Sequence, residues 1–209
     1  MTALVFALPF EAAALQSVSP DFQVWVLHAT GRRAAAAFLA RLESSPLAPT
    51  LVVSAGLAGG LNPNLRVGDL LRHHDSDPLP PFATDVPHGT VFTAESLVAS
   101  ADDKRMLRLQ TGADACDMES AFLFALCRDR GLPCIGLRAI SDPAGQSLPI
   151  PSEALLDPQS GRPNPSAIAL ALLRRPTSIL AFAQLIRNAA KARASLARCL
   201  QGNARSFPG

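Results

Sequence analysis

The sequence has 209 residues, of which 48% are apolar and 17% are charged, and its formal net charge is only +2. This length supports one buried core, so one domain over residues 1–209 is predicted. So small a charge, with no basic tract before the C-terminal region, excludes an extended nucleic-acid-binding surface, and no apolar run reaches the roughly 18 residues of a membrane span.

Apolar runs and helical segments alternate along the first third of the chain. Strands are predicted over residues 3–8, 22–29 and 50–56. A short helical segment over 10–18 follows the first strand, and an Ala-rich helix over 31–45 follows the second. The third strand is expected to end in the glycine-rich stretch "AGLAGGL", which either forms a tight turn or lets the backbone approach a ligand.

The alternation continues beyond that turn. Two further strands, 67–74 and 89–96, flank a Pro-rich loop, and helices are predicted over 102–110 and 120–131. The run "PCIGLRAI" at 133–140 predicts a buried strand. Strands that alternate with helices and are apolar throughout indicate an α/β fold, with a mixed, largely parallel sheet flanked by helices.

The chain ends in a long Pro-rich loop, 142–165, and two helices. The last helix, 176–201, carries apolar residues such as Leu180, Leu185 and Ile186 and then several basic ones. This composition is typical of an amphipathic helix that lies on a membrane surface. A helix that packs on the core and exposes a basic side has the same pattern, and both interpretations stay open.

Four acids lie where predicted strands end or helices begin. Glu11 follows the first strand, Asp117 and Glu119 precede a helix, and Asp142 ends a strand. Each alone is explained as a helix N-terminal charge or a turn cap. Because ligands bind beyond the carboxyl ends of strands in open α/β sheets, the four together predict a functional site.

Three stretches resemble one enzyme superfamily. "SAGLAGGLNPNLRVGDLL" and "CDMESAFLFALCRDRGLPCIGLRAISD" look like the glycine-rich segment, the acidic helix start and the strand end of the purine nucleoside phosphorylase and nucleosidase superfamily. "ALPFEAAAL" resembles the first strand and acid of its methylthioadenosine/S-adenosylhomocysteine nucleosidase branch. The resemblance implies a nucleoside phosphorylase-like fold and cleavage of a purine N-glycosidic bond.

The resemblance also implies residue roles. Asp142 matches the catalytic acid that protonates or hydrogen-bonds N7 of the departing purine, which requires a carboxyl kept partly protonated by an apolar setting. Glu11 matches the catalytic acidic residue that activates water. Glu119 matches the ligand of the ribose hydroxyls, and Met118 the side chain packed on the ribose. Asp117 stands where many relatives have Glu, so a ribose or water contact is expected to shift.

Other positions are matched less closely. Leu97 and Val98 fall where the family stacks the base and reads its edge with backbone groups. Gly56 and Leu57 belong to the turn beside the ligand, but Leu57 replaces a Ser or Thr that holds phosphate or water in the family.

The co-substrate is left open by the sequence. Arg32 and Arg33 lie at a helix start, where an anion such as phosphate binds, or they are solvated helix charges. Inorganic phosphate or water is therefore expected as the co-substrate. No other cofactor and no metal are expected, because the four histidines lack partners at ligand spacing.

The motifs together with the C-terminal helices resemble the hopanoid-associated phosphorylases. This resemblance implies adenosylhopane as the purine nucleoside, a cytoplasmic homodimer, and peripheral membrane contact through the last helix. Two alternatives are kept: a methylthioadenosine/S-adenosylhomocysteine-type nucleosidase of soluble substrates, and a nucleoside-binding protein without activity. Glu11, Glu119 and Asp142 together favour an enzyme.

Overall fold

Strands and helices alternate along most of the chain. The structure is a computed structural model and describes residues 1–15, 22–74, 82–155 and 164–203. Its strands are β1 (Thr2–Phe6), β2 (Phe22–Val26), β3 (Leu51–Gly60), β4 (Leu70–His73), β5 (Val91–Thr93), β6 (Ala115–Asp117) and β7 (Cys134–Asp142). Its helices are α1 (Pro9–Ala12), α2 (Gly31–Ser44), α3 (Ala101–Thr111), α4 (Ser120–Asp129), α5 (Ser152–Leu155), α6 (Pro165–Arg174) and α7 (Ile179–Asn203).

The strands form one mixed sheet around β3. One edge of β3 pairs in parallel with β7 along most of its length, and β4 adds antiparallel to β7. The other edge pairs in parallel with β1, which is flanked by β2, and then antiparallel with β6, which is flanked by β5. The predicted α/β fold class is confirmed.

The two partners on that second edge of β3 leave a gap between them. Pairing with β1 ends at Ser54, and pairing with β6 begins at Gly59. The backbone between these residues faces away from any strand on this side. Because β3 is long and its neighbours are short, the gap opens a cleft at the carboxyl end of β1.

Three expectations about elements are corrected. The glycine-rich stretch is not a turn, because β7 pairs with β3 through it and keeps it extended. Asp117, expected to precede a helix, ends the short strand β6, whereas Glu119 does lie directly before α4. The helix expected over 10–18 is limited to Pro9–Ala12 in the described residues, with 16–21 outside them.

Two apolar clusters cover the two faces of the sheet. On one face, Leu196 and Leu200 of α7 pack against side chains of β1, β3 and β7. On the other, Phe38 of α2 and Leu123 of α4 pack with Trp25. The second half of α7 therefore packs in the core, which agrees with one of the two interpretations of its sequence.

Candidate active site

A cavity of about 370 Å³ lies at the carboxyl ends of β1, β3 and β7. Its volume is at the lower end of the roughly 300–1,000 Å³ of small-molecule sites. Most of the residues predicted from the sequence line it, namely Glu11, Leu57, Leu97, Val98, Asp117, Met118, Glu119 and Asp142. The fold thus brings together acids that are up to 131 residues apart in the sequence, the distance from Glu11 to Asp142.

Glu11 bridges the gap beside β3. Its Oε1 accepts the Leu57 N–H at 2.9 Å and its Oε2 accepts the Leu8 N–H at 2.9 Å. Burial raises the pKa of Glu11, and the two backbone hydrogen bonds oppose that rise. A carboxyl tuned upward in this way is a stronger base at neutral pH when it is ionised.

Gly56 lies behind this carboxylate. A Cβ at Gly56 would stand 2.8 Å from Glu11 Oε1, closer than carbon and oxygen normally approach. The glycine is therefore required by close packing inside a strand, and its predicted place in a ligand-binding turn is wrong.

Glu119 is held at the start of α2. Its Oε1 accepts the Gly31 N–H at 3.0 Å, and its Oε2 accepts the Met118 N–H at 3.3 Å. Burial raises the pKa of Glu119 to about 7, and the negative charges of Asp117 and Glu11 add to the rise. The sequence predicted that the N-terminus of α2 could bind an anion such as phosphate. In the structure, the Glu119 carboxylate occupies this position.

Asp117 faces a buried arginine. Its Oδ2 accepts Arg138 Nε at 2.8 Å, and its Oδ1 accepts the Thr93 hydroxyl at 2.9 Å. Ser120 donates its hydroxyl to Oδ2 as well. Burial acts to raise the pKa of Asp117, but the Arg138 charge and the Ser120 hydrogen bond outweigh it and leave the pKa lowered.

This network continues behind the cavity. Arg138 donates to the Ser54 hydroxyl at 2.9 Å and to the Ser120 hydroxyl at 2.8 Å, and Ser120 Oγ lies 3.2 Å from His73 Nε2. Burial, followed by the charge of Arg138, lowers the pKa of His73 to about 3. Asp117 therefore belongs to a buried polar network, because both of its oxygens accept hydrogen bonds from protein side chains.

Asp142 stands at the end of β7. Its Oδ1 accepts the Ser141 hydroxyl at 2.6 Å, and its Oδ2 accepts the ammonium of Lys104. The apolar setting expected for this acid is wrong. A strand of apolar residues leads to it, but its immediate neighbour is a cation carried by α3.

Sequence reasoning gave no role to Lys104 or Arg138. Both side chains are buried, with 0% and 2% of their surface exposed. A signal exists for each. Arg138 interrupts the apolar strand "CIGLRAI", and Lys104 shares a helix face with Leu107, three residues later, which packs on the core. A cation at an apolar position needs a buried partner.

One wall of the cavity is apolar. It is formed by Leu148, Leu155 of α5, Ile168 of α6 and the α7 residues Phe182, Leu185, Ile186 and Ala189. The long loop expected over 142–165 contributes to this wall, but its residues 156–163 lie outside the described residues. The first half of α7 thus faces the site, whereas the second half packs in the core.

Next to this wall, apolar side chains face outward. Leu173 at the end of α6 is 77% exposed and Leu180 at the start of α7 is 81% exposed, with Ile179 and Ile186 more than half exposed. Within the described residues no single helix is long and apolar enough to cross a membrane; α6 and α7 meet that criterion only as a pair, bent by 115°.

The weak phosphate candidates lie outside the cavity. Arg32 is exposed, 3.6 Å from Glu95 and stacked 4.7 Å from the centre of the Phe122 ring. Arg33 is also exposed and is not in the cavity wall. Among the described lining residues there is no lysine or arginine. A phosphate would therefore meet carboxylates without a compensating charge.

A wider, shallower groove of about 960 Å³ runs between β4 and the end of α7. None of the predicted site residues lines it. In the part of the chain that the structure describes, no group of three His, Cys, Asp or Glu side chains is arranged to hold a metal ion.

Sequence comparison identifies proteins that are similar to this chain. The model of the Phosphorylase superfamily matches residues 82–174. The chain is 28% identical over 165 residues to a 5′-methylthioadenosine/S-adenosylhomocysteine nucleosidase from Tolumonas auensis, covering 61% of this chain and 71% of the relative. It is 28% identical over 169 residues to the enzyme of the same description from Pseudoalteromonas translucida, covering 63% of this chain and 71% of the relative.

Solved structures share the fold across the whole chain. A Helicobacter pylori mutant of this nucleosidase with 5′-methylthioadenosine in the active site superposes with a TM-score of 0.66 at 16% identity, over 99% of this chain and 98% of the other. Futalosine hydrolase from the same organism gives a TM-score of 0.65 at 16% identity, over 99% and 97%. The family match and the sequence relatives indicate an enzyme, and the binding-protein alternative is not supported.

Proposed function

We propose that the chain is a nucleosidase-like member of the phosphorylase superfamily and that it hydrolyses the N-glycosidic bond of an adenine nucleoside that carries a large apolar group on its 5′ carbon. The observation that carries the proposal is the cavity itself. It joins four carboxylates, of which Glu11, Glu119 and Asp142 are proposed to act on the substrate, to an apolar wall.

The three acids divide the reaction between them. When the bond between the sugar and adenine breaks, its electron pair goes to the base, and Asp142 passes a proton to N7. Glu119 accepts hydrogen bonds from the ribose hydroxyls, which strengthen as positive charge grows on the sugar. Glu11 takes a proton from the water that attacks the sugar. Met118 packs on the ribose, and Leu97 and Val98 on the base.

Hydrolysis is favoured over phosphorolysis by the charges in the cavity. Phosphate binding needs cations or free N–H donors. The Leu57 N–H is donated to Glu11 and the Gly31 N–H to Glu119, and the described lining has no basic residue. A neutral water molecule fits between these carboxylates better than a phosphate dianion does.

The 5′ group is proposed from the apolar wall. A nucleoside accounts for most of a cavity of about 370 Å³. A larger 5′ group must extend out of the cavity past Phe182 and Ile186 of α7. Adenosylhopane, with its triterpene group, is the candidate that uses this wall and the exposed apolar side chains beyond it. Burial of such a group at about 25 cal/mol per Å² would dominate the affinity.

A second candidate is 5′-methylthioadenosine or S-adenosylhomocysteine. It is favoured by the names of the sequence relatives. A methylthio group fills only the inner part of the apolar wall and leaves the outward-facing leucines without a role. The homodimer, the cytoplasmic location and the membrane contact through α6 and α7 are further proposals that accompany the lipid substrate.

Adenine release decides among these candidates. The protein is incubated, with and without phosphate, with adenosine, 5′-methylthioadenosine, a series of 5′-alkyl adenosines and adenosylhopane. We expect release without phosphate and a kcat/KM that rises with the size of the 5′ group. Highest kcat/KM for 5′-methylthioadenosine would replace the lipid substrate by the soluble one. Strict dependence on phosphate would overturn hydrolysis, and no adenine from any substrate would overturn the activity.

A further inference from the structure

Lys104 is placed where a lysine is rarely found. Its side chain on α3 has 0% exposed surface, whereas its neighbours Asp102, Asp103 and Arg105 face solvent. Lysine is almost never fully buried unless it is paired, because removing an ammonium from water is strongly unfavourable. Its position therefore needs a compensating partner and, since a smaller apolar side chain would pack there without that cost, a reason.

Each N–H of the Lys104 ammonium has one acceptor. One is the Oδ2 of Asp142, and the others are the carbonyl oxygens of Pro143 at 3.1 Å and Gln146 at 3.0 Å. An ammonium has three donors, so all are used within the protein. Lys104 thereby ties α3 to the end of β7 and to the chain that follows it.

The surroundings of Asp142 leave Lys104 as the proton carrier. Among the described residues, Lys104 from α3 and the Cys116 thiol from β6 are the titratable groups found next to the Asp142 carboxylate. Burial, followed by the charge of Asp142, raises the pKa of Cys116 to about 12, so the thiol keeps its proton. Ser141 donates its hydroxyl to Oδ1. The nearby Asp117 is paired with Arg138.

We propose that Lys104 supplies, through Asp142, the proton that the departing base takes up. The inference rests on the proposed function of the cavity. The three acceptors around Nζ, one carboxylate oxygen and two carbonyl oxygens, match the three donors of an ammonium, so the geometry places the transferable proton on Nζ. As the glycosidic bond breaks and its electrons move to the base, Asp142 gives one proton to the base nitrogen and receives one from Nζ.

The pair is left as a carboxylate and a neutral amine. The amine regains a proton from solvent once the products leave. Glu11 takes a proton from the attacking water and releases it to solvent after the products leave, so protons balance over the cycle. Burial favours the transfer, because a bound nucleoside excludes water from the site and a charged pair is less stable there. Lys104 acts through Asp142 and does not touch the substrate.

Two variants separate a proton source from a structural ion pair. Lys104→Arg keeps the positive charge but does not release a proton, since a guanidinium stays protonated. Lys104→Met removes both the charge and the proton. Lys191→Arg, on the exposed face of α7, is the matched control and keeps wild-type activity. Melting temperature and nucleoside binding are measured for each chain.

The readout is the rate with two leaving groups at pH 8. From an adenine nucleoside, which needs a proton on the base, we expect both Lys104 variants to lose about 10²–10⁴-fold in kcat. From 4-nitrophenyl riboside, whose phenolate leaves without a proton, we expect rates near the wild type. For the adenine nucleoside, the kcat of the wild type divided by that of Lys104→Met should decrease as the pH falls. At lower pH, Asp142 of the variant takes a proton from solvent instead.

The outcomes that overturn the inference are distinct from those that overturn the proposed function. Full activity of Lys104→Arg on the adenine nucleoside, or equal losses with both leaving groups, would assign Lys104 a purely structural role. If Lys104→Met does not fold, the Lys104→Arg chain decides alone, and if neither folds the residue is structural. A wild-type protein that cleaves neither substrate would overturn the proposed function, and this inference with it.

Discussion

At the residue scale, the carboxylates of the cavity differ in how their charge is compensated. Asp117 and Asp142 each have a cation in contact, Arg138 and Lys104 respectively. Glu11 and Glu119 have only backbone N–H donors. Burial raises the pKa of both glutamates, and the charge of Asp117 adds to the rise in each, with Glu11 adding further to that of Glu119. The ionised forms of these two glutamates are therefore destabilised in the folded protein.

This destabilisation predicts a pH dependence of stability that Glu119→Gln removes. The pKa of Glu119 is about 7 in the folded protein against 4.5 as its ordinary value. Between these two pH values the folded state holds a proton that the unfolded state has lost, so stability falls as pH rises, by on the order of 3 kcal/mol in all. Glu119→Gln keeps an oxygen for the Gly31 N–H and should flatten the fall.

The measurement is the free energy of unfolding at pH 5 and pH 7.5 for both chains. Glu153→Gln, an exposed glutamate on α5, is the control and should keep the wild-type slope. A residual slope in Glu119→Gln is expected from Glu11, whose pKa is raised as well. An unchanged slope would show that Glu119 is ionised in the folded protein throughout this range.

A second residue-scale prediction concerns Asp142→Asn. We expect kcat for adenine release to fall about 10²–10⁴-fold, because the amide cannot pass a proton to the base. We also expect a lower melting temperature, because the buried Lys104 ammonium loses its counter-charge and keeps only its carbonyl contacts. Asp129→Asn at the exposed end of α4 is the control. An Asn variant with wild-type turnover would remove Asp142 from the reaction.

The acids were predictable from the sequence, and the cations were not. Glu11, Glu119 and Asp142 follow or precede apolar runs, so their places at one edge of the sheet follow from the topology of α/β folds. Lys104 and Asp142 are separated by 38 residues. Their contact depends on how α3 packs on the end of β7, which the local pattern around either residue does not contain.

At the element scale, β3 is the strand that makes the site. Its first residues pair with β1 and its last with β6, and the gap between them admits Glu11. The sequence predicted the strand but ended it at its glycines, because glycine usually marks turns. In this strand glycines are needed for a different reason. Gly59 lets the Asp142 carboxylate and the Cys116 thiol approach to 3.3 Å from where a Cβ would be.

Gly56→Ala is the prediction that belongs to this strand. The added methyl would stand 2.8 Å from Glu11 Oε1, so the carboxylate must leave the Leu57 N–H or the strand must shift. We expect a destabilisation of about 1–3 kcal/mol and a clear loss of adenine release, since Glu11 is displaced from the water it activates.

Its control is Gly145→Ala, where a Cβ would meet nothing within 4 Å. That variant should keep the stability and the rate of the wild type. The two substitutions add the same methyl group, so their difference isolates the contact with Glu11. Equal behaviour of the two variants would mean that the Glu11 carboxylate does not need its present position.

At the scale of the whole molecule, α7 serves both the core and the site. Leu196 and Leu200 are buried against the sheet, while Phe182 and Leu185 line the cavity. The sequence offered a core helix or an interfacial helix as alternatives, and neither describes all 25 residues of α7, because only its second half packs on the sheet. The first half of α7 and the end of α6 carry the exposed leucines Leu180 and Leu173.

These leucines predict binding to a lipid surface. Leu173 and Leu180 are 77% and 81% exposed, and Arg174 and Arg175 between them are exposed as well. Apolar side chains beside arginines are the composition of a segment that inserts into the interface of an anionic membrane. Burying one leucine contributes about 1.5–3 kcal/mol. The double change Leu173→Ser and Leu180→Ser should therefore lower the partition onto anionic vesicles by at least about tenfold.

Vesicle co-sedimentation tests this, with Leu109→Ser as the matched control, since Leu109 on α3 is 74% exposed but distant in sequence from α6 and α7. The control should bind vesicles like the wild type. All three chains should cleave a short adenine nucleoside equally, because neither leucine lines the cavity, whereas cleavage of vesicle-embedded adenosylhopane should fall with binding in the double variant alone. Wild-type protein that stays in the supernatant would reject the membrane contact. The cavity would then serve a soluble nucleoside, and the exposed leucines would need a protein partner to cover them.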